Sequence, residues 1–201
     1  KILLMKKITH NFNIEKKNHN FVSYIITIFN KRNYLLNVIN ALQKEGGSQK
    51  KEFIIVDDGS TDNTCNILKV LEKKIPGRVK IIKRANMGAS FSTNEAVKHA
   101  SGYWIRLLDG DDLVAYKSTE KMLTLARKYN IDFVYGKISK KINKVDNKIL
   151  NFGELQNSYT GLSKFIRNCP ANSSAIFVSK KDFYFLEDVT NHLFLRIRFF
   201  S

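Results

Sequence analysis

Four short, largely apolar segments alternate with amphipathic helical patterns in the first half of the chain, and this alternation limits the fold more than any other feature. The segments at 21–29, 53–56, 79–82 and 103–108 are too short for buried helices. Most are apolar on both faces, as strands buried in a parallel sheet are. Between them, apolar residues recur every three or four positions, as in Leu35, Val38, Ile39 and Leu42, which predicts helices. Repeated strand–helix units predict an α/β fold, with a mostly parallel sheet and helices on both faces.

The second half of the chain has a looser pattern. A helix is expected around 122–129, strands at 132–135 and 175–178, a hairpin over 137–150 and a short helix over 160–167. We therefore divide the chain into a basic arm (1–20), a first subdomain (21–112) and a second subdomain (113–201) packed on it. The chain stops at Ser201 within an apolar pattern, so we expect the second subdomain to be truncated at its carboxyl end.

Acidic residues directly follow two of the predicted strands, at 57–58 and at 109–112. Ligands bind beyond the carboxyl ends of the strands in such sheets, so we expect the two clusters to lie at neighbouring strand ends and to share one pocket. Three carboxylates in four residues cost free energy unless a cation or hydrogen-bond donors neutralise them, and Mg²⁺ and Mn²⁺ take oxygen ligands. The simpler alternative is a pair of turns in which Asp, Ser or Thr caps the next helix.

Composition excludes several other classes of protein. A chain that is 43% hydrophobic can bury a core and is not wholly disordered. No apolar run approaches the roughly 20 residues of a membrane span, the first 20 residues do not form a secretory signal, and Cys65 and Cys169 form no metal-spaced pair. A cytoplasmic location is therefore expected.

The formal net charge of +16 suits an anionic partner, such as a nucleotide or the inner face of an anionic membrane, although codon bias toward lysine explains it equally well. The lysines are spread along the chain, so no nucleic-acid partner is expected.

Three segments carry a family resemblance. They are SYIITIFNKRNYL from Ser23, FIIVDDGSTDNT from Phe53 and NMGASFSTNEAVKHASGYWIRLLDGDD from Asn86. In order and spacing they resemble family 2 of the inverting glycosyltransferases. The resemblance implies the GT-A fold, a Rossmann-like sheet with a nucleotide-sugar-binding subdomain (21–112) and a smaller acceptor-binding subdomain (113–201). It implies metal-assisted transfer of a sugar from a nucleoside diphosphate, usually UDP, to a glycan, lipid-linked or protein acceptor in polysaccharide or glycan biosynthesis.

The resemblance also assigns site residues. The segment containing Thr27, Phe29 and Asn30 matches the one that lines the nucleotide pocket, and Asp57 matches the acid that hydrogen-bonds the base. Asp109 and Asp111 match the two ends of the D-x-D motif. Asp109 would contact the ribose or the metal shell, and Asp111 would bind Mn²⁺ or Mg²⁺ bridging the diphosphate.

The general base must come from the second half of the chain. Glu187-Asp188 resembles the family's Glu-Asp segment, so Asp188 would be the base, with Glu187 as the alternative. An acidic pair at a helix start, favoured by the helix dipole, would explain these residues equally well. The processive signature Gln-x-x-Arg-Trp is absent, and Trp104, the only tryptophan, is expected in the core.

One position departs from the family pattern. Many members carry an arginine where Thr93 stands, and that arginine is often near the donor diphosphate. Its task could pass to Lys31, Arg32 or the metal.

Other functions remain as alternatives. A sugar-phosphate nucleotidyltransferase would need a glycine-rich loop at 30–34, and a dinucleotide dehydrogenase would need G-x-G-x-x-G after the first strand; the sequence has neither. A degenerate module that binds a nucleotide-sugar without turning it over stays open, because of Thr93 and the short match around Asp188.

Overall fold

A computed structural model describes residues 20–136, 174 and 176–189, with the side chains of 135 and 185–189 excepted. The predicted hairpin at 137–150, the predicted helix at 160–167 and nearly all of the basic arm lie outside the described residues.

Six strands form one sheet in the order β3-β2-β1-β4-β6-β5. The first four strands along the chain are parallel, and β6 runs antiparallel to both β4 and β5. The sheet is therefore mostly parallel, as predicted. The bounds are β1 (Phe21–Ile28), β2 (Lys50–Asp57), β3 (Arg78–Lys83), β4 (Trp104–Asp109), β5 (Phe133–Tyr135) and β6 (Ile176–Ser179).

Helices cover both faces of this sheet, again as predicted. They are α1 (Leu35–Lys44), α2 (Thr64–Leu71), α3 (Ala89–Lys98), α4 (Ser118–Tyr129) and α5 (Lys180–Val189), with a single 3₁₀ turn (Glu72–Lys74) after α2. One hydrophobic cluster joins α1, α2 and α4 to the sheet, and a second joins α3 and α5 to the opposite face.

The central position of β1 explains why its sequence is apolar on both faces. Val22, Tyr24, Ile25 and Ile26 are at most 1% exposed, because β2 and β4 flank the strand and helices cover both of its surfaces. Full burial of one such aliphatic side chain contributes about 1.5–3 kcal/mol. The strand thus anchors the loop that follows it.

The described strands of the second half, β5 and β6, extend the same sheet. β6 pairs with β4 so that Phe177 lies opposite Arg106. Trp104 is buried and stacks on Phe177 with ring centroids 4.8 Å apart, which confirms its place in the core.

The alternative explanation of Glu187 and Asp188, an acidic pair at the start of a helix, is wrong. They are the eighth and ninth residues of α5, far from the positive end of the helix dipole, so that dipole does not explain them.

Candidate active site

The direction of chain progression reverses at β1, and this reversal locates the site. From β1 the chain moves outward through β2 to β3, then returns to place β4 on the other side of β1. The loops that follow β1 and β4 therefore leave the sheet edge in different directions, which opens a crevice at their carboxyl ends. Thr27 pairs with Val56 of β2 on one side and with Asp109 of β4 on the other.

The two acidic segments flank this crevice but do not end neighbouring strands, so that part of the prediction is wrong. β1 lies between them, which separates the ends of β2 and β4 by about 10 Å. In β2, side chains alternate between the two faces of the sheet, so Asp57 lies on the same face as Phe53 and Ile55, the face of α1 and α2. In β4, Asp109 lies on the same face as Ile105 and Leu107, which is the opposite face. Strand order, which is a tertiary property, decides this arrangement.

Gly110 brings the acidic turn after β4 close to the end of β1. Its N–H donates to the carbonyl oxygen of Thr27 at 2.9 Å. A Cβ at this position would lie 3.0 Å from that oxygen and 2.8 Å from Cγ1 of Ile28. The sequence needs glycine here because the two backbones approach too closely for a side chain.

Asp57 is fully buried and only half satisfied. Its Oδ1 accepts a hydrogen bond from the backbone N–H of Ser60 at 3.1 Å. Its Oδ2 is enclosed and has no hydrogen-bond donor among the described residues. A buried carboxylate oxygen without a donor costs free energy, so a ligand N–H at this point would stabilise the site. Because water does not reach Oδ2, such a ligand requires a neighbouring group to shift.

Asp58, in contrast, is buried with both oxygens occupied. They accept the backbone N–H groups of Met87 at 3.0 Å and Gly88 at 2.8 Å. Nε of Arg84 lies 3.7 Å from Oδ1, and the same guanidinium pairs with Glu95 of α3. Asp58 therefore holds the loop between β3 and α3 against the end of β2, which is a structural task.

The segment Ser60–Thr64 fastens the loop after β1, a role that the capping interpretation missed. Ser60 Oγ, Asp62 Oδ2 and Thr64 Oγ1 accept the backbone N–H groups of residues 30, 32 and 31, and Asn30 Oδ1 accepts that of Thr61. We call these four hydrogen bonds the loop latch. In the sequence, the loop latch corresponds to a run of five polar residues at 60–64. A single helix cap would require fewer polar residues than this.

Asp62 both fastens this loop and caps α2. It also accepts hydrogen bonds from the backbone N–H and the hydroxyl of Thr64. Partial burial opposes ionisation of this carboxyl, but its hydrogen bonds with Thr64 and Arg32 outweigh burial and lower its pKa.

Lys31 reaches across the crevice to the acidic turn. Its Nζ lies 2.5 Å from Oδ2 of Asp111, and each of the two side chains is about one third exposed, 34% and 33%. Sequence reasoning named Lys31 as a cationic candidate but did not foresee this ion pair. The contact shows that Asp111 is placed where a positive charge is favoured.

The residues fit a divalent cation only in part. Among residues 20–136, 174 and 176–189 no three Asp, Glu, His or Cys side chains converge on one point. Asp111, however, is partly exposed and already holds a cation, the ammonium group of Lys31. Mg²⁺ is usually bound through one or two carboxylates plus substrate phosphates, so one open carboxylate suits a cation that arrives with its ligand.

The remaining predicted residues lie around the same edge. Thr27 is half-buried at the end of β1, Phe29 is 44% exposed, and Asn30 has a left-handed backbone with φ of 52°. The backbone N–H of Asp109 donates to Ser174 Oγ at 2.7 Å, a contact that sequence reasoning missed because the two residues are 65 positions apart. The side chains of Glu187 and Asp188 lie outside the described residues.

Parallel strands with a crevice at the switch point and acidic loops on both sides define an α/β domain that binds its ligand at the carboxyl edge of the sheet. The sequence model of glycosyl transferase family 2 matches residues 23–190. The chain belongs to this family, and the predicted family resemblance is confirmed.

Similar proteins agree with this assignment. The minor teichoic acid biosynthesis protein GgaB of Bacillus subtilis is 33% identical over 120 residues, which cover 58% of this chain and 13% of GgaB. Two other bacterial relatives named glycosyltransferases are covered over 28% and 23% of their length. The chain thus spans a small part of the curated relatives that it matches.

Two solved structures share the fold. Staphylococcus aureus TarS, solved in complex with UDP, has a TM-score of 0.63 and 23% identity, with 84% of this chain and 48% of that chain covered. The mannosyltransferase PcManGT of Pyrobaculum calidifontis, solved with GDP-Man and Mn²⁺, has a TM-score of 0.57 and 15% identity, with 84% and 46% covered. Both confirm the GT-A type of α/β fold.

Within the part of the chain that the structure describes, none of the helices has both the length and the apolar character needed to cross a bilayer.

Proposed function

We propose that the chain is the catalytic domain of an inverting glycosyltransferase, which moves a sugar from a nucleoside diphosphate to an acceptor hydroxyl. The observation that carries this proposal is the arrangement around β1. A buried carboxylate oxygen of Asp57, which has no donor among the described residues, lies at the end of β2, and the cation-paired carboxylate of Asp111 follows β4. A nucleotide is long enough to contact both, with its base at Asp57 and its diphosphate at Asp111.

The donor is a UDP-sugar. In this proposal Asp57 accepts the N–H of the uracil base, Thr27, Phe29 and Asn30 line the base pocket, and Asp109 contacts the ribose or the metal shell. The exposed ring of Phe29 offers a surface on which a base can lie. TarS was solved with UDP and with UDP-GlcNAc, which supports the choice of nucleotide.

Asp111 would hold Mn²⁺ or Mg²⁺ together with the diphosphate oxygens, with Asp109 as the second carboxylate. The bound cation acts as a Lewis acid that stabilises the negative charge of the leaving nucleoside diphosphate. PcManGT, which shares this fold, was solved with GDP-Man and Mn²⁺, which supports the use of a divalent cation.

Residues 21–112 form the nucleotide-sugar subdomain in this proposal, and residues 113–201 contribute the acceptor side. Asp188, or its neighbour Glu187, removes the proton of the acceptor hydroxyl as that oxygen attacks the anomeric carbon. A single displacement with the acceptor opposite the leaving group inverts the anomeric centre. A glycan, lipid-linked or protein acceptor fits this chemistry, and the teichoic acid protein GgaB supports a glycan-building role.

The domain acts in the cytoplasm, in peripheral contact with the anionic inner face of the membrane. The net charge of +16 supports this location, because basic surfaces are attracted to anionic lipids.

The alternative is a degenerate module that binds a nucleotide-sugar without turnover. It is favoured by Thr93, which is half-buried on α3 at the position where many relatives carry arginine. Binding and turnover measured together separate the two.

The experiment is a panel of nucleotide-sugars assayed for donor hydrolysis with and without Mn²⁺, beside calorimetry with the matching nucleoside diphosphate. We expect one UDP-sugar to be hydrolysed in a chelator-sensitive manner, and Asp111→Asn to lose both hydrolysis and metal-dependent binding. Binding without hydrolysis of any donor would favour the module. Full activity of Asp111→Asn in chelator would refute the metal assignment.

A further inference from the structure

We propose that Lys31 is an internal counter-ion that competes with the divalent cation for Asp111. In this view the free site is neutralised by the Lys31 ammonium group, and a metal ion enters only when that group leaves. The inference rests on the proposed function, because it takes Asp111 as the metal ligand. It adds a residue that controls how readily the cation is bound.

The first argument is the geometry of the ion pair. Lys31 Nζ lies 2.5 Å from Oδ2 of Asp111. A divalent cation binds carboxylate oxygens at about 2.0–2.2 Å, so the ammonium group and the metal cannot share this oxygen without strong repulsion. Lys31 must therefore leave Oδ2 when a metal ion binds to that oxygen.

The second argument is that Lys31 can leave without moving its loop. The loop latch fixes the backbone N–H groups of residues 30, 31 and 32 to side chains of the segment after β2. The lysine side chain is flexible and one third exposed. The exchange therefore needs only a rotation of the Lys31 side chain, while the backbone that carries it stays in place.

The third argument is that the displaced ammonium group has other partners nearby. Lys31 Nζ already lies 5.7 Å from the centre of the half-exposed ring of Tyr34, within the range of a cation–π contact. The diphosphate of a bound donor would offer a stronger partner. A donor that draws Lys31 away from Asp111 makes room for the metal, so donor and metal would assist each other's binding.

The test is Mn²⁺ titration of the chain without donor, followed by water-proton relaxation and by calorimetry. Lys31→Gln removes the competing charge and keeps a side chain of similar length. We expect it to bind Mn²⁺ about 30-fold more tightly than the wild type, because a divalent ion and a unit charge 4 Å apart repel each other by about 2 kcal/mol in water. Lys83→Gln is the matched control, since it removes one exposed lysine at the same sheet edge without touching Asp111.

A second measurement tests whether UDP binding and Mn²⁺ binding strengthen each other. UDP should strengthen Mn²⁺ binding to the wild type by a larger factor than to Lys31→Gln, because the variant has no ammonium group to displace. Circular dichroism of both variants checks that the fold is intact.

The outcomes are distinguishable. If Asp111→Asn loses Mn²⁺ binding but Lys31→Gln behaves like the wild type, the counter-ion role is refuted and the metal assignment stands. If Lys31→Gln and Lys83→Gln tighten Mn²⁺ binding equally, the effect is one of net charge, and the role is again refuted. If Asp111→Asn binds Mn²⁺ as well as the wild type, the metal assignment fails and the counter-ion role fails with it.

Discussion

Two consecutive carboxylates, Asp57 and Asp58, show how neighbouring residues of one type take different tasks. Both are buried, at 0% and 3% exposure, although charged side chains are rarely buried without partners. The oxygens of Asp58 are occupied by the backbone of the next loop, whereas Oδ2 of Asp57 has no donor among the described residues. We infer that Asp58 stabilises the fold and that Asp57 binds a ligand.

Replacing each with asparagine separates these tasks. In Asp57→Asn, an amide N–H stands where the wild-type carboxylate would accept the N–H of the ligand. This removes a hydrogen bond to a charged group, so we expect the affinity for UDP to fall about 10- to 100-fold. Calorimetry with UDP measures this. Asp58→Asn loses an acceptor used by the loop, so it should lower the melting temperature instead. Equal effects of the two variants on affinity would contradict the division.

The proposed general base is a second prediction at the residue scale. Asp188→Asn should reduce turnover by about 10²- to 10⁴-fold, the usual contribution of a general base, with affinity for UDP unchanged. Glu187→Gln is the control, since it removes the neighbouring carboxylate of the same helix. Steady-state transfer assays and calorimetry together test this. A loss confined to Glu187→Gln would move the base to that residue.

At the scale of elements, α5 contains a charge that opposes folding. Asp182 lies in its first turn. Burial, with a smaller contribution from the charge of Asp132, raises the pKa of the Asp182 carboxyl above its ordinary value of 3.8. The folded chain therefore holds this proton more tightly than the unfolded chain does. The group favours folding at acidic pH, and that contribution is lost as the pH rises through the raised pKa.

Asp182→Asn should therefore be more stable than the wild type at pH 7. The difference should shrink as the pH falls toward the ordinary carboxyl pKa of 3.8. Urea unfolding over this pH range measures it. Lys181→Gln removes the nearby positive charge that lowers the pKa of Asp182, so this variant should be less stable than the wild type at pH 7. A wild type more stable than Asp182→Asn at neutral pH would contradict the assignment.

At the scale of the whole molecule, several exposed lysines gather at the amino edge of the sheet. The helices that follow β1, β2 and β3 run back toward the amino edge, so their last turns bring exposed lysines there, including Lys44, Lys73, Lys74 and Lys98. Lysine near a helix carboxyl end also complements the helix dipole, which explains part of the pattern. The acidic loops lie at the other edge.

The proposed membrane contact can be tested on this amino edge. The combined variant Lys73→Gln/Lys74→Gln/Lys98→Gln should bind phosphatidylglycerol-containing vesicles more than about tenfold more weakly, because each lysine near an anionic surface contributes about 1 kcal/mol. Vesicle co-sedimentation measures it, with phosphatidylcholine vesicles as the uncharged control. Lys83→Gln, at the opposite edge, should bind as the wild type does. Undiminished binding of the combined variant would contradict a role for this edge.

The sequence by itself determined most elements of the described part, and it indicated the edge at which we expect a ligand to bind. Strand β1 is largely apolar because it is buried on both faces, and α1 has the spacing of a half-buried helix, so local patterns were sufficient. The bounds shifted by a few residues: β2 begins at Lys50 rather than Phe53, because parallel pairing with β1 extends it. The acidic residues at two strand ends mark the carboxyl edge of the sheet as the place where we propose that the ligand binds.

Only the tertiary structure decided which side chains meet there. Contacts of β1 with β2 and β4, of Lys31 with Asp111, and of Asp109 with Ser174 join residues 29 to 82 positions apart. Arg106 is another case: it is buried in a strand that reads as apolar, donates to the carbonyl oxygen of Ile176, and burial lowers its pKa to about 10. Such contacts depend on strand order and on packing across the sheet, whereas helix and strand periodicity is set by the nearest neighbours along the chain.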